Sequence, residues 1–283
     1  MAVRDDLGTR MKTFYEQVPK TKLMRRCPVA IRIDGKAFHN FTRGFHKPFD
    51  DILIDSMQKT MKYLCENIQG CVFGYTQSDE ITLILIDYQK LESSAWFDYE
   101  VQKIASVSAS MATMAFNKYF KENVIGFKEM MKYSACYNLL QDQLQAYISS
   151  VKKGAMFDAR CFNIPKEEVT NLLYWRQLDA IRNSIQMVGQ ANFSHKELDG
   201  KSCILIKEIL KAQKGIIWEN LPIYCQRGSC CIKKEDTESS NSYKTWVIDK
   251  EIPIFKGEDR KYIDDLIFVG GMKFRFQTEI SNL

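Results

Sequence analysis

Up to about residue 195, the apolar positions of the chain follow either a strand period or a helical period. In residues 28–34 every second position is apolar, which predicts a strand. From Asp50 to about Asn67 the apolar positions recur at steps of three and four, which predicts a helix with Asp50 as its N-cap. By the same criteria we expect strands at 71–76, 81–87 and 156–163, and helices at 5–17, at 95–121 and from Pro165 onward.

The order of these elements is strand, helix, strand, strand, helix, strand, followed by one more helix. It matches the split βαββαβ arrangement, in which helices cover an antiparallel sheet. The sequence therefore predicts an α+β fold similar to the palm of polymerases and cyclases. Topology alone does not assign chemistry, so the function has to be argued from particular residues.

Beyond about residue 195 the periodic signals weaken. We expect a short helix within 196–215, and strand-like fragments at 215–228 and 243–255 around a polar turn at 233–242. We therefore predict a palm-like catalytic domain at residues 1–195 and a C-terminal α/β extension at residues 196–283.

The composition excludes some classes of protein without selecting one. With 45% hydrophobic and 27% charged residues in a chain of 283, disordered, collagen-like and coiled-coil proteins are excluded. The net charge of +5 permits a nucleic-acid partner but does not require one. No apolar run approaches the roughly 18 residues that a membrane span needs, and the charged start predicts a cytoplasmic protein.

The nine cysteines are odd in number and lie mostly within apolar runs, which predicts reduced thiols. Cys225, Cys230 and Cys231 are close together in the sequence, but they have neither the CxxC spacing nor a nearby histidine. The sequence therefore does not favour a zinc site there.

Two aspartates carry the main chemical signal. Asp34 ends the first predicted strand, and Asp79 lies in the hairpin turn. If their strands are neighbours, the two carboxylates lie at the same end of the sheet. Two close carboxylates repel, and a divalent ion relieves that repulsion. Magnesium fits best because it takes hard oxygen ligands and shares its other sites with phosphates.

A glycine strengthens this interpretation. Gly35 follows Asp34 and would let the backbone approach a phosphate closely, with the amides of residues 36–39 directed at triphosphate oxygens. Taken singly, an Asp-Gly pair after a strand and a Ser-Asp-Glu turn are both typical of ordinary turns. Their combination on the expected elements favours a nucleotide and metal site.

Four segments in the same order resemble the tRNA-His guanylyltransferase family, whose members are 3′–5′ nucleotide polymerases acting on tRNA 5′ ends. The resemblance extends over about 7–215 and is carried by RIDGKAFHNFTRGFHKPFD (32–50), GYTQSDEITLIL (74–85), FDARCFNIP (157–165) and YWRQLDAIRNS (174–184). It implies ATP activation of a 5′-monophosphorylated tRNA, attack by GTP or another nucleotide, two Mg²⁺ ions and a homotetramer. The partners implied are thus tRNA and nucleoside triphosphates.

The resemblance also implies roles for individual residues. Asp34, Asp79 and the Gly35 carbonyl resemble the metal ligands. Glu80 matches the acidic residue beside the second aspartate and is predicted to be catalytic together with the two aspartates, although a plain turn carboxylate remains an alternative for it. The triphosphate-binding stretch is matched by Asp34, Gly35, Lys36, Ala37, Phe38 and His39, together with Ser78 and Asp79. The remaining nucleotide contacts implied are Lys47 and Asp50 near the base and Lys103 on the long helix, although Lys103 is equally consistent with a solvated helix face.

One departure from the family pattern affects specificity. Eukaryotic members have His-Ile-Asn-Asn where residues 181–184 are Ile-Arg-Asn-Ser, so the chain resembles the bacterial and archaeal branch that repairs truncated tRNA 5′ ends. Arg182 and Asn183 are candidate tRNA contacts, with an exposed helix residue as the alternative for Arg182. In the same helix, Trp175 is predicted to be a core residue rather than a stacking platform.

Two other classes of function remain open from the residues alone. A palm-type nucleotide cyclase or cyclic-dinucleotide synthase would use a similar metal pair, and would make a cyclic product from GTP without tRNA. A non-enzymatic tRNA-binding module would tolerate the loss of Asp34.

Overall fold

The computed structural model describes residues 6–133, 140–235 and 244–269. Within these residues the chain forms one six-stranded antiparallel sheet of order β4-β1-β3-β2-β5-β6. The strands are β1 (Val29–Gly35), β2 (Cys71–Gln77), β3 (Glu80–Leu85), β4 (Phe157–Asn163), β5 (Ser229–Glu235) and β6 (Lys244–Asp249). The first four strands have the predicted split βαββαβ topology, which confirms the α+β fold class.

The helices of the described residues are α1 (Asp6–Met11), α2 (Phe38–Phe41), α3 (Asp51–Asn67), α4 (Val101–Met131), α5 (Gln141–Lys153), α6 (Lys166–Asn192), α7 (His195–Leu198), α8 (Cys203–Ile209), α9 (Ile223–Arg227) and α10 (Lys261–Ile267). Shorter helical turns occur at Lys12–Glu16, Trp96–Tyr99, Leu210–Lys214, Trp218–Asn220 and Gly257–Arg260. None of the helices in these parts of the chain combines the length and apolar character that crossing a bilayer requires.

Alternation along the strands builds a core on each face of the sheet. On β1, Ile31 and Ile33 belong to the larger core, together with residues of α3 and α4. Ala30 lies on the opposite face and packs in the second core with residues of α6 and α10. Because side chains alternate along a strand, Arg32 and Asp34 share the α6 face with Ala30.

The N-cap prediction at Asp50 is confirmed in detail. Its side chain accepts a hydrogen bond from the backbone amide of Leu53 at 2.9 Å, and α3 starts at the next residue. This bond satisfies one of the amide groups that the first turn of a helix leaves without a partner.

The predicted start of the long helix is wrong. Residues 96–99 form a separate turn, and α4 begins only at Val101 and continues to Met131. The break occurs because Phe97 and Asp98 have left-handed backbone angles, with φ of 50° and 52°. An α-helix cannot continue through such residues.

The strand-like fragment predicted at 215–228 is also wrong, since this segment contains Trp218–Asn220 and α9. Pro222 precedes the first residue of α9, and Gly228, with φ of +85°, follows its last residue. Proline at a helix start and glycine just past a helix end are both favoured, so these two residues outweigh the apolar run between them.

The C-terminal segment takes part in the same sheet. β5 pairs with β2 through Gly74 and Cys231, and β6 pairs with β5. The short helix expected within 196–215 is present as α8. The predicted boundary near residue 195 stays a prediction, and the polar turn expected at 233–242 lies outside the described residues from 236 onward.

Candidate active site

The pairing of β1 with β3 brings the two predicted aspartates to one end of the sheet. Asp34 lies opposite Glu80 in the antiparallel register, and the amide of Gly35 donates to the Asp79 carbonyl at 3.1 Å. The turn between β2 and β3 consists of Ser78 and Asp79, with Ser78 in the left-handed region at φ of 50°. The juxtaposition that the sequence required of Asp34 and Asp79 is therefore present.

The two carboxyl groups lie in an environment that disfavours their charge. Burial raises the pKa of Asp34, and the neighbouring carboxylates of Glu80 and Asp158 raise it further. Burial also raises the pKa of Asp79, followed by the charge of Asp34. The charges of Arg160 and Arg32 lower the pKa of Asp34 in part, but neither aspartate forms an ion pair within the described residues, so an external cation would bind favourably here.

Asp158 is a third carboxylate at this edge that the sequence reasoning missed. On β4 it lies directly opposite Asp34, and it is half exposed and paired with Arg160 at 3.2 Å. The signal was available in the sequence, since Asp158 falls in a predicted strand within the third segment of the family resemblance.

A buried phenylalanine fixes the loop after β1. The Phe38 ring lies 5.1 Å from Phe41 and Phe157 and 5.5 Å from Phe116, measured between ring centroids. A Cβ atom added to Gly35 would lie 2.2 Å from Cδ2 of Phe38, so no other residue fits there without rearrangement. Phe38 and Phe41 are thus buried in the core, as expected of residues that hold the loop.

An open cavity of about 490 Å³ lies between this loop, the start of α3 and the hairpin turn. Among the described residues, the backbone amides of 37–39 have no hydrogen-bond acceptor, which leaves them available for an anion. The cavity brings together most of the residues predicted to contact nucleotide: Gly35, Ala37, Phe38, His39, Lys47, Asp50, Ser78 and Asp79.

Asp50 uses both carboxylate oxygens within the protein. Besides capping α3, it accepts hydrogen bonds from the His46 amide at 3.0 Å and from the Tyr147 hydroxyl at 2.6 Å. These bonds hold the segment that carries Lys47 against the cavity. The structure thus assigns Asp50 a part in shaping the loop, and its predicted contact with the base stays a prediction.

The carboxylate of Glu80 is fully paired. It accepts two hydrogen bonds from Arg176, at 2.7 and 2.8 Å, and one from Arg32 at 2.9 Å. Arg176 also contacts Asp179 at 3.0 Å, and both Glu80 and Arg176 are buried. Sequence reasoning missed Arg32 and Arg176, although an arginine among the apolar residues of α6 is itself a signal of a buried partner.

The two predicted tRNA contacts lie on different sides of α6. Asn183 lines a smaller cavity of about 80 Å³, which shares Asp50, Ser78 and Met187 with the larger one. Arg182 is exposed and forms an ion pair with Asp179.

Three other predicted residues, Asp34, Lys36 and Lys103, do not line the larger cavity. The Lys103 ammonium lies 4.9 Å from the ring centroid of Phe97, near the start of α4. Lys36 is exposed, and its backbone amide donates to the Met156 carbonyl at 2.9 Å. Their contacts with phosphate stay predictions.

The donor set fits magnesium better than a fully protein-ligated metal. No group of three or more His, Cys, Asp and Glu side chains converges within the described residues. Two carboxylates, with the Gly35 carbonyl as a predicted third ligand, are hard oxygen donors and leave positions for water and phosphate oxygens. Magnesium prefers such an incomplete set, whereas zinc sites are typically completed by nitrogen and sulfur ligands.

Comparison with known proteins identifies the family. The family model for tRNAHis guanylyltransferase matches residues 8–165. A solved bacterial tRNA(His) guanylyltransferase-like protein in complex with ATP is 39% identical, with a TM-score of 0.77, and the match covers 93% of this chain and 100% of that one.

Two further matches agree. The same kind of bacterial protein in complex with GTP is 38% identical, with a TM-score of 0.71 and the same coverage. A probable tRNA(His) guanylyltransferase of Dictyostelium discoideum is 26% identical over 231 residues, which cover 77% of this chain and 80% of the relative. The chain belongs to the tRNAHis guanylyltransferase family and is a nucleotidyltransferase.

Proposed function

We propose that this protein adds nucleotides to the 5′ end of tRNA in the 3′–5′ direction, with the opposite tRNA strand as template. The convergence of Asp34 and Asp79 beside a cavity with free backbone amides carries the proposal. The ATP and GTP complexes solved for the bacterial tRNA(His) guanylyltransferase-like protein support nucleotide binding at this fold.

The cavity supplies the contacts that a triphosphate needs. The free amides of residues 37–39 donate to phosphate oxygens, and Lys47 and Ser78 add a cation and a hydroxyl. Asp34, Asp79 and the Gly35 carbonyl would hold Mg²⁺, which neutralises phosphate charge and favours deprotonation of an attacking hydroxyl when it is bound. The protein contributes mainly by positioning the reacting groups.

Two chemical steps are proposed. A tRNA with a 5′-monophosphate is first activated with ATP, which leaves an adenylylated end and releases pyrophosphate. The 3′-hydroxyl of an incoming nucleotide then forms a bond to the activated 5′ phosphorus, and AMP leaves. With a 5′-triphosphate the same attack releases pyrophosphate directly. Glu80 takes no part in these bond changes in our proposal; its salt bridge fixes the turn that carries Asp79.

The test is a 5′-labelled tRNA that lacks its first nucleotide, incubated with each nucleoside triphosphate, with and without ATP. Extension only by the nucleotide that pairs with the template is expected, and a 5′-monophosphate should require ATP. A cyclic product from GTP without tRNA would instead support the cyclase alternative. Binding of tRNA without any extension would support a binding module. The homotetramer and the cytoplasmic location stay predictions.

A further inference from the structure

Trp175 is exposed to an extent unusual for a tryptophan on a packed helix. Its relative exposure is 53%, so the prediction that it belongs to the core is wrong. Its neighbours Leu173, Arg176 and Gln177 lie on the buried face of α6. The side chain of Trp175 therefore lies at the border between the buried and the exposed face of the helix. A single exposed apolar side chain is common at a protein surface, so the exposure of Trp175 points to a partner only together with the groups that lie against and around its ring.

The indole ring rests on two anchored cations. The guanidinium carbon of Arg176 lies 4.6 Å from the ring centroid, and that of Arg32 lies 5.6 Å from it. Both guanidinium groups are held by Glu80, so the ring has a fixed support. A ring that is held in place before binding loses little conformational entropy when a ligand stacks on it.

Four arginines surround the ring close to the aspartate pair, and each of them is ion-paired with a carboxylate. Arg32 precedes Asp34 by two residues on the same face of β1, and it lies opposite Arg160 on β4. Arg182 follows Trp175 by seven residues on α6, which places the two side chains on one stripe of the helix. Arg160 and Arg182 are more than half exposed, so both can reach a ligand.

We infer that Trp175 is a stacking platform for an unpaired base of the RNA substrate near its 5′ end, with Arg160 and Arg182 contacting the flanking phosphates. This inference rests on the proposed function. Unpaired RNA bases stack on aromatic rings, and arginines beside such rings bind phosphates. An exposed aromatic ring supported by cations and flanked by further cations matches both requirements in one place.

The experiment compares Trp175→Ala, Trp175→Phe and a control, Tyr133→Ala, which removes another highly exposed aromatic ring. Binding of a tRNA that lacks its 5′ nucleotide is measured without nucleoside triphosphate across a range of salt concentrations. We expect Trp175→Ala to weaken binding about 10- to 100-fold, Trp175→Phe to keep most of the affinity, and Tyr133→Ala to bind as the wild type does.

The salt dependence separates stacking from charge. Trp175→Ala should lower affinity equally at every salt concentration, whereas Arg182→Gln should reduce the slope of log affinity against log salt by about one phosphate contact. Wild-type affinity in Trp175→Ala would overturn the inference. So would weaker binding that comes with a change of oligomeric state in light scattering, because the ring would then pack against a second copy of the chain.

The outcomes also separate this inference from the proposed function. If the wild type binds the RNA and extends it with no nucleotide, the proposed function fails, while the binding comparison still tests the platform. If the wild type extends the RNA and Trp175→Ala retains the wild-type affinity and KM for tRNA, the platform alone fails. Thermal melting of each variant confirms that the fold is retained.

Discussion

Two consecutive carboxylates, Asp79 and Glu80, lie at the same turn in opposite electrostatic situations. Glu80 is buried and accepts three hydrogen bonds from the guanidinium groups of Arg176 and Arg32. The Asp79 carboxylate accepts hydrogen bonds from the Ser78 hydroxyl, at 3.1 Å, and from its own backbone amide, and it lies close enough to Asp34 for that charge to raise its pKa. Arginines thus neutralise Glu80, whereas Asp79 forms no ion pair with any residue that the structure describes.

This difference indicates that Glu80 is a structural anchor, whereas Asp79 belongs to a binding site. A buried carboxylate paired with arginine is satisfied by the fold itself and has no need of a ligand. A pair of partly buried carboxylates that forms no ion pair within the described part of the chain stores unfavourable electrostatic energy, which a bound metal ion releases. The anchor also explains how the site keeps its geometry, because fixing Glu80 fixes the backbone of the turn that carries Asp79.

The sharpest test of this comparison removes one carboxylate charge at a time. Asp34→Asn and Asp79→Asn keep the shape of the side chain but lose the charge that holds Mg²⁺. We expect each to lower the rate of nucleotide addition about a thousand-fold or more, with tRNA affinity nearly unchanged. Single-turnover extension of labelled tRNA measures the rate.

Asp158→Asn is the matched control for these variants. It removes a carboxylate on the same sheet face, opposite Asp34, but one that already has Arg160 as a partner. We expect a loss of less than about ten-fold, because the lost charge is exposed and screened. Full activity in Asp34→Asn or Asp79→Asn would exclude the metal assignment.

The next largest effect should come from removing the salt bridge between Glu80 and Arg176, and we expect it in the free energy of unfolding. Arg176→Met leaves Glu80 with an incompletely compensated buried charge, which costs about 3–5 kcal/mol in the free energy of unfolding. The melting temperature should then fall by roughly ten degrees. Arg182→Gln breaks the exposed pair with Asp179 on the same helix and should cost less than about 1 kcal/mol.

The variant Glu80→Gln tests the same salt bridge from its carboxylate side. If Glu80 is an anchor, this variant should lose stability, and its activity should recover in part when the temperature is lowered. Unchanged melting with a thousand-fold loss of activity would instead place Glu80 in the chemistry.

What the sequence predicted well depends on local signals. The N-cap at Asp50 and the hairpin turn at 77–80 are set by residues within a few positions of one another, and both are present. The salt bridge of Glu80 joins residues 96 positions apart, so no local pattern pointed to it. Trp175 was misjudged because an apolar residue in a helical pattern predicts burial, whereas its exposure depends on how α6 lies against the sheet.

A smaller effect is expected on the stability of the metal-free protein. Because burial raises the pKa of Asp79, the folded state binds more protons than the unfolded state at mildly acidic pH. The free energy of unfolding therefore falls as the pH rises through this range, as the folded protein loses that proton. Asp79→Asn should abolish this decrease in the free energy of unfolding. At neutral pH in EDTA the variant should therefore melt at a higher temperature than the wild type.

Magnesium provides the complementary measurement. Added Mg²⁺ should raise the melting temperature of the wild type more at neutral pH than near pH 4, where protonated carboxyls bind metal poorly. Asp79→Asn should show little response at either pH. An equal response to Mg²⁺ in the wild type and the variant would mean that the ion binds elsewhere.

The smallest effect concerns Asp50, a third carboxylate, which is satisfied by neutral donors rather than by arginine. Asp50→Asn keeps an oxygen for the cap of α3 but loses the acceptor shared by the His46 amide and the Tyr147 hydroxyl. We expect a loss of about 1 kcal/mol and a rise of a few-fold in the KM for nucleotide, because the segment that carries Lys47 loosens. Asp51→Asn, one residue further and exposed, should change neither quantity. A tens-fold rise in KM without any change in the melting temperature would instead show that Asp50 contacts the nucleotide directly and belongs to the binding site.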